Sequence, residues 1–235
     1  MPKDWSKLEK IIGVKFENQD LLKQALVHRS YLNENPDFHL PQNERLEFLG
    51  DAVLELVVTK YLYNTFSDPE GTLTNWRAAL VNAKILAEIT QKLGVEEFLF
   101  LSHGEAKDKE SKARQIILAN AFEAIVGAIY LDQGLEPADT FINNVVVTRL
   151  SHIISAGLYI DAKSRFQELV QEKFSITPTY HVLEESGPDH AKHFVIAINI
   201  GETFIAKGEG TSKQEAQMSA ATNALKENWE SLMEN

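Results

Sequence analysis

The sequence predicts an all-α N-terminal domain followed by an α+β domain of order α-β-β-β-α. Three observations carry this. Apolar residues recur at helical spacing as far as about Ile160. Beyond Tyr159 the apolar residues alternate with period two. The turn pairs Gly187-Pro188 and Gly201-Glu202 then separate the extended runs. The expected division is 1–157 for the helical domain, 158–162 for a linker and 163–230 for the second domain.

In chain order, Leu21, Leu22, Ala25 and Leu26 form the first helical stripe. The polar stretch Asn33 to Asn43 contains two prolines and is expected as a loop. Leu46, Leu49, Val53, Leu56 and Val57 form the next stripe, and Leu80, Ile85, Leu86 and Ile89 another. Asn82 is placed to cap a helix starting near Ala83, and Gly94 to stop it. Gly104 to Ser111 is charged and mixed in sign, a loop or a solvated helix start. Ile117, Ala121, Ala124, Ile125 and Ala128 form a further stripe. In the second domain, Ser164 to Lys173 reads as a short helix and Thr179 to Glu185 as a strand. Phe194, Ile196, Ile198 and Ile200 share one face of a second strand, and Thr203 to Lys207 is a third. Ser212 opens a last helix, with Ala216, Ala220, Ala221 and Leu225 on one stripe.

Composition bounds the function. The chain has 235 residues, of which 44% are hydrophobic and 24% charged, so it can bury a core. It has no cysteine, which excludes disulfides, zinc–cysteine sites and thiol catalysis. The longest stretch without Asp, Glu, Lys or Arg runs from Leu150 to Ile160, too short to span a bilayer, and Met1 to Trp5 lacks a signal-peptide apolar core. A cytoplasmic protein without a membrane partner is the expectation. The net charge is −11, and charge alone argues against a nucleic-acid partner. Residues 1–161 carry 16 basic and 23 acidic groups, and residues 162–235 carry 7 and 11, so neither part is basic overall. Any phosphate-binding surface must be local.

The segment Asn43 to Leu54 is the richest in chemistry. On a helix Glu44, Glu47 and Asp51 share a face, where like charges cost about a few tenths of a kcal/mol per pair. A solvated acidic face is the simplest explanation. Two details point elsewhere. Gly50 sits inside the helix, where it costs about 1 kcal/mol relative to Ala, so another backbone should approach it closely. Large apolar residues flank the acidic face on both sides. The nearly apolar segment Ile117 to Tyr130 supplies the partner, with Asn120 and Glu123 as its strongly polar groups and Gly127 a turn further along their face. A buried, unpaired Glu needs a cation or a hydrogen-bonding partner. Packing the two glycines together sets Glu123 beside Glu47 and Asp51, an oxygen-ligand cluster suited to metal-assisted phosphoester hydrolysis.

At these residues the sequence resembles ribonuclease III. Asn43 to Leu54 is similar to that family's signature, and Ile117 to Asp132 to its second helix. Leu26 to Tyr31 and Glu70-Gly71-Thr72-Leu73 match further blocks. The second domain resembles the double-stranded RNA-binding domain at Gln167-Glu168, Pro178, Tyr180, Gly187-Pro188-Asp189-His190 and Phe194. Gly208, Gly210, Ser212-Lys213, Ala216 and Ala220-Ala221 continue that match. The resemblance covers nearly the whole chain.

The resemblance implies an endoribonuclease that hydrolyses both strands of duplex RNA, leaving 5′-phosphate and 3′-hydroxyl ends with short 3′ overhangs. It also implies processing of ribosomal and messenger precursors, and a homodimer formed through the helical domain, with Phe48 and Leu49 as contact candidates. Mg²⁺, for which Mn²⁺ can substitute, would be held by Glu47, Asp51, Asn120 and Glu123. Asp51 and Glu123 carry catalysis, with Glu44 and Glu70 positioning substrate or outer water. Asn120 departs from the family, which has Asp there, so three carboxylates face the ions instead of four and a second metal should bind more weakly. The alternative is an attenuated or catalytically silent duplex-RNA-binding protein. In the second domain Gln167, Glu168 and His190 are implied to read minor-groove hydroxyls. Ser212 and Lys213 are implied to bind phosphate with the last helix's N-terminus, where Gln214 replaces a common lysine. That thin clamp predicts modest affinity with a shallow salt dependence.

Other residues have structural readings. His28 is expected as a hydrogen-bonded structural histidine, Trp5 and Trp76 as packing residues, and Lys107, Lys109, Lys112 and Arg114 as a solvated run.

Overall fold

Helices fill the first two-thirds of the computed structural model, which describes residues 3–109, 111–159, 161–188, 191–227 and 229. They are α1 (Trp5–Ile12), α2 (Gln19–Gln24), α3 (Arg29–Glu34), α4 (Glu44–Thr65), α5 (Glu70–Leu80), α6 (Ala83–Lys92), α7 (His103–Lys107), α8 (Lys112–Gln133), α9 (Leu135–Val145) and α10 (Leu150–Ser155). The second part contains α11 (Ala162–Phe174), β1 (Thr179–Ser186), β2 (His193–Ile200), β3 (Thr203–Gly210) and α12 (Lys213–Ala224). The chain divides into two units, Met1–Tyr159 and Ile160–Asn235.

Capping chemistry sets many of the helix starts. Asn82 accepts from the Ile85 N–H at 3.0 Å, Ser111 from Arg114 at 3.1 Å and Asp161 from Ser164 at 3.0 Å. Gly94 leaves α6 at φ 72°, a left-handed conformation that glycine adopts without steric cost. The charged stretch after Ser102 forms the single short helix α7 before turning into α8.

In the first unit α8 is the central element, with α4, α6, α9 and α2 packed around it. By length and mean hydropathy α8 is the one helix among the described residues that could cross a membrane; 61% of that window is buried inside the protein. Thr90 ties α6 to α8 by donating to the carbonyls of Leu86 and Leu118 at 2.8 and 3.1 Å. Asp132, near the end of α8, accepts the N–H groups of Glu17 and Asn18, both at 2.8 Å, and anchors the start of α2. The expected stripe of α8 is wholly buried. That of α4 needs one correction. Leu56 is exposed, and the buried face instead follows Leu46, Gly50, Val53, Leu54, Val57 and Val58. Spacing alone could not separate the two apolar rows that this helix carries.

The second unit is an antiparallel sheet of order β1-β2-β3 with α11 and α12 against one face. Phe194, Ile196, Ile198 and Ile200 all point into its core, as period two requires. Phe166 and Val170 of α11 and Ala220 and Ala221 of α12 meet them. Gly208 and Gly210 allow β3 to press on α12. A Cβ at Gly208 would overlap the backbone at Ala220, and one at Gly210 would lie 2.6 Å from the Ala216 nitrogen.

Candidate catalytic and RNA-binding sites

Two backbones touch where α4 crosses α8. A Cβ on Gly50 would overlap the Glu123 carbonyl oxygen, and one on Gly127 the Leu46 carbonyl oxygen. This explains why both helices carry glycine in their interiors. Glu47 and Asp51 flank Gly50 on α4, and Glu123 lies one turn before Gly127 on α8. The crossing therefore brings these carboxylates onto one surface.

The electrostatics follow from that placement. Burial pushes the Glu123 carboxyl up to about 8, and repulsion from Asp51, Glu47 and Glu55 adds to it. Glu47 is also raised, first by burial and then by Glu44 and Asp51. The Asn120 amide donates to Glu47 and works against that rise. Among the described residues no three such groups converge on one point as a preformed cage. Like charges repel one another at this surface, and a cation would offset them. The donor set fits a hard divalent ion: three carboxylates and one amide oxygen.

Glu44 begins α4 in an exposed position, accepting from the Gln42 amide at 3.1 Å, with Arg29 3.9 Å away. Glu70 begins α5, also exposed, and accepts from the Thr74 hydroxyl at 3.1 Å. Glu70 is not among the groups that shift Glu47 or Glu123. Within one chain it stands outside the cluster. Glu55 is the carboxylate that sequence reasoning missed. It acts on Glu123 and pairs with Arg77 at 2.8 Å. The signal was available, because 47, 51 and 55 continue the same helical row.

Beside the carboxylate row, α4 displays an apolar one. Phe48 is 82% exposed, Leu56 55% and Tyr63 78%, while Leu49 is half-buried. Phe48 is thus no part of its own chain's core. A cavity of about 820 Å³ lined by Ile85, Ile89, Val145 and Ile153 contains none of these site residues.

His28 caps α3, accepting from the Ser30 N–H, and burial lowers its pKa. Trp5 packs on Phe98 and Phe100, and Trp76 on Phe66 and Tyr159. Arg114 corrects the expectation of a solvated basic run. It is 4% exposed and bonded through Nε to Glu96 at 3.0 Å and through Nη2 at 2.5 Å.

In the second unit Gln167 is half-buried and Glu168 exposed on α11. Ser212 caps α12, accepting from the Glu215 N–H at 3.2 Å. Lys213 is exposed, 3.8 Å from Glu185 and over the Phe194 ring, and Gln214 is exposed beside it. His190 lies outside the described residues.

Known proteins resemble both units. A family model described as ribonuclease-III-like matches residues 18–150, and the double-stranded RNA binding motif matches 162–228. Ribonuclease 3 of Chloroflexus aurantiacus is 47% identical over 224 residues, covering 94% of this chain and 90% of that protein. Ribonuclease 3 of Dehalococcoides mccartyi is 42% identical over 225 residues, covering 95% and 94%. The solved nuclease domain of ribonuclease III from Campylobacter jejuni aligns with a TM-score of 0.54 at 39% identity, covering 63% of this chain and 97% of that one. A second structure of that domain, whose description refers to a region involved in dimer formation, aligns with a TM-score of 0.53 at 40% identity, covering 62% and 97%.

Proposed function

The chain belongs to the ribonuclease III family and is a double-stranded RNA endoribonuclease, and we propose that Glu47, Asp51, Asn120 and Glu123 form its hydrolytic centre. The observation that carries this is Glu123, a half-buried carboxyl with three carboxylates acting on it and a pKa pushed up to about 8. Near neutral pH such a group is mostly protonated unless a cation stands beside it. The family is metal-dependent, and the all-oxygen donor set favours Mg²⁺, with Mn²⁺ as a substitute. A bound divalent ion would supply a water of lowered pKa and positive charge near the departing 3′ oxygen.

The chain's own groups do the rest. Glu47, Asp51 and Glu123 present the anionic oxygens, with Asp51 and Glu123 nearest the reaction. Asn120 contributes an amide oxygen to that set. Its hydrogen bond to Glu47 supports this position. The lost charge weakens cation binding, but the oxygen donor remains. That retained donor, with Glu47, Asp51 and Glu123 present, favours an active enzyme over a silent binding protein. Glu44 and Glu70 position substrate or outer water.

We propose a homodimer in which the exposed row Phe48, Leu56 and Tyr63 is the buried surface, with Leu49 at its edge. Solvent exposure of three large apolar groups on one helix face supports this. The carboxylate row borders that face, so the second protomer would deliver its Glu70 toward the cluster. The second unit binds duplex RNA through Gln167, Glu168, His190, Ser212, Lys213 and Gln214, reading shape and 2′-hydroxyls. Ends bearing 5′-phosphate and 3′-hydroxyl with short 3′ overhangs, precursor-RNA processing and a cytoplasmic setting complete the reading.

The test uses end-labelled duplex and single-stranded RNA of one sequence with Mg²⁺. The duplex alone should be cut, to 5′-phosphate ends. Equal cutting of the single strand contradicts the reading. Phe48→Glu should sediment as a monomer and lose cleavage; an intact dimer removes the interface assignment.

A further inference from the structure

The phosphate-binding helix of the second unit is short of cations. Lys213 is the only basic side chain in α12. Its ammonium lies 3.8 Å from Glu185, a carboxylate that also holds Lys192 at 2.5 Å. Both lysines hold the Glu185 carboxyl below its ordinary range. Much of the positive field expected at this end of the helix is therefore offset inside the protein.

A second ammonium reaches the same helix from α11. Lys163 donates to the Gln217 side-chain oxygen at 2.8 Å and lies over the Tyr180 ring, 5.0 Å from its centre. Gln217 is one turn beyond Lys213, about 6 Å along the helix axis. Lys163 is one turn before Gln167 on α11. The contact thus joins the hydroxyl-reading row of one helix to the phosphate-reading row of the other. The partner is a neutral amide, so holding the ammonium there leaves its charge in place. The carboxylate that acts on Lys163 is Asp161, which also caps α11 through Ser164 and offsets part of the ammonium's field.

We infer that Lys163 is a phosphate-contacting residue of the duplex-binding surface, held in position by Gln217 and supplying from α11 the charge that α12 lacks. This rests on the reading that α11 and the start of α12 face the duplex. A phosphate contact has a signature that packing lacks: each neutralised phosphate steepens the fall of affinity with salt. Losing one lowers the slope by about one and weakens binding to every sequence alike. The Tyr180 ring and the Gln217 side-chain oxygen hold the Lys163 ammonium, so less conformational freedom is lost on binding.

The experiment measures the affinity of the full chain for a perfect RNA duplex in EDTA, across a salt series, with thermal melts of each variant. Lys163→Gln should weaken binding, with a salt slope shallower by about one and little change in melting temperature. Lys163→Arg should keep both affinity and slope. Gln217→Lys placed in the Lys163→Gln chain should restore the slope. Unchanged affinity and slope in Lys163→Gln overturns the inference, as does weaker binding with a lower melting temperature and an unaltered slope. Lys213→Gln separates the levels. If it weakens binding while Lys163→Gln does not, the inference alone fails. If neither does, the assignment of this face to RNA fails with it.

Discussion

The α4–α8 crossing and the β3–α12 contact use one packing device for opposite electrostatic ends. In both, glycines let two backbones meet where a Cβ would overlap. At the first, the contact crowds half-buried Glu47 and Glu123 beside exposed Asp51, without an organic counter-charge among the groups that shift the two glutamates. At the second, the cations Lys192 and Lys213 share Glu185, and the surface is open to water. One region concentrates unbalanced charge; the other disperses balanced charge. The difference teaches that a chain of net charge −11 can handle RNA. In the proposed reading part of its acidity is metal-binding carboxylate, and a few placed ammonium groups meet the RNA.

The comparison breaks most completely at the glycines. Gly50→Ala should unfold the first unit or cost at least about 3 kcal/mol, because the clash is with backbone that cannot rotate away. Calorimetry on the full chain should show the 162–228 unit still melting in its own transition. Wild-type stability in this variant would mean that the helices do not touch there.

The next effect concerns unbalanced charge. In the folded, metal-free chain Glu123 titrates near 8, against an ordinary 4.5 when unfolded. Between those values the folded state holds the extra proton, so stability falls as pH rises through this window. The loss is absent below 4.5 and complete above 8. Melting temperatures in EDTA from pH 5 to 9 should therefore decline, and Glu123→Gln should flatten the decline. Mg²⁺ at about 100 times its dissociation constant should restore about 2.7 kcal/mol above pH 8. A Glu123→Gln profile parallel to wild type would remove the claim that this carboxyl is strained.

The smallest effect sharpens the other side. Glu185→Gln releases the carboxylate that offsets Lys192 and Lys213, so duplex affinity should rise a few-fold and the salt slope should steepen. Equal affinity across the salt series would show that this pairing has no influence on RNA binding.

Much of the α4–α8 crossing was legible in the sequence, because helical spacing, two interior glycines and an isolated Glu on an apolar helix all imply it. Leu56 was misassigned because α4 carries two apolar rows, and spacing does not say which faces a partner. Glu55 was missed because its position in the row was hidden by the ordinary look of a charged helix. Arg114 was read as solvated because burial of an arginine depends on Glu96, eighteen residues away and on another element. The Lys163–Gln217 contact was equally invisible, since it joins two helices separated by the whole sheet in sequence. Local chemistry was readable; pairings across elements needed the fold.

The most direct measurement is the Mg²⁺ dependence of duplex cleavage by wild type, Asn120→Asp and Glu123→Gln. Wild type should cut, but half-saturate at a Mg²⁺ concentration about tenfold higher than Asn120→Asp, which regains a charged ligand. Glu123→Gln should lose more than about a hundredfold in rate at every concentration. Cleavage by Glu123→Gln at the wild-type rate, with the same Mg²⁺ dependence in all three, would contradict the assignment of this cluster as the hydrolytic centre.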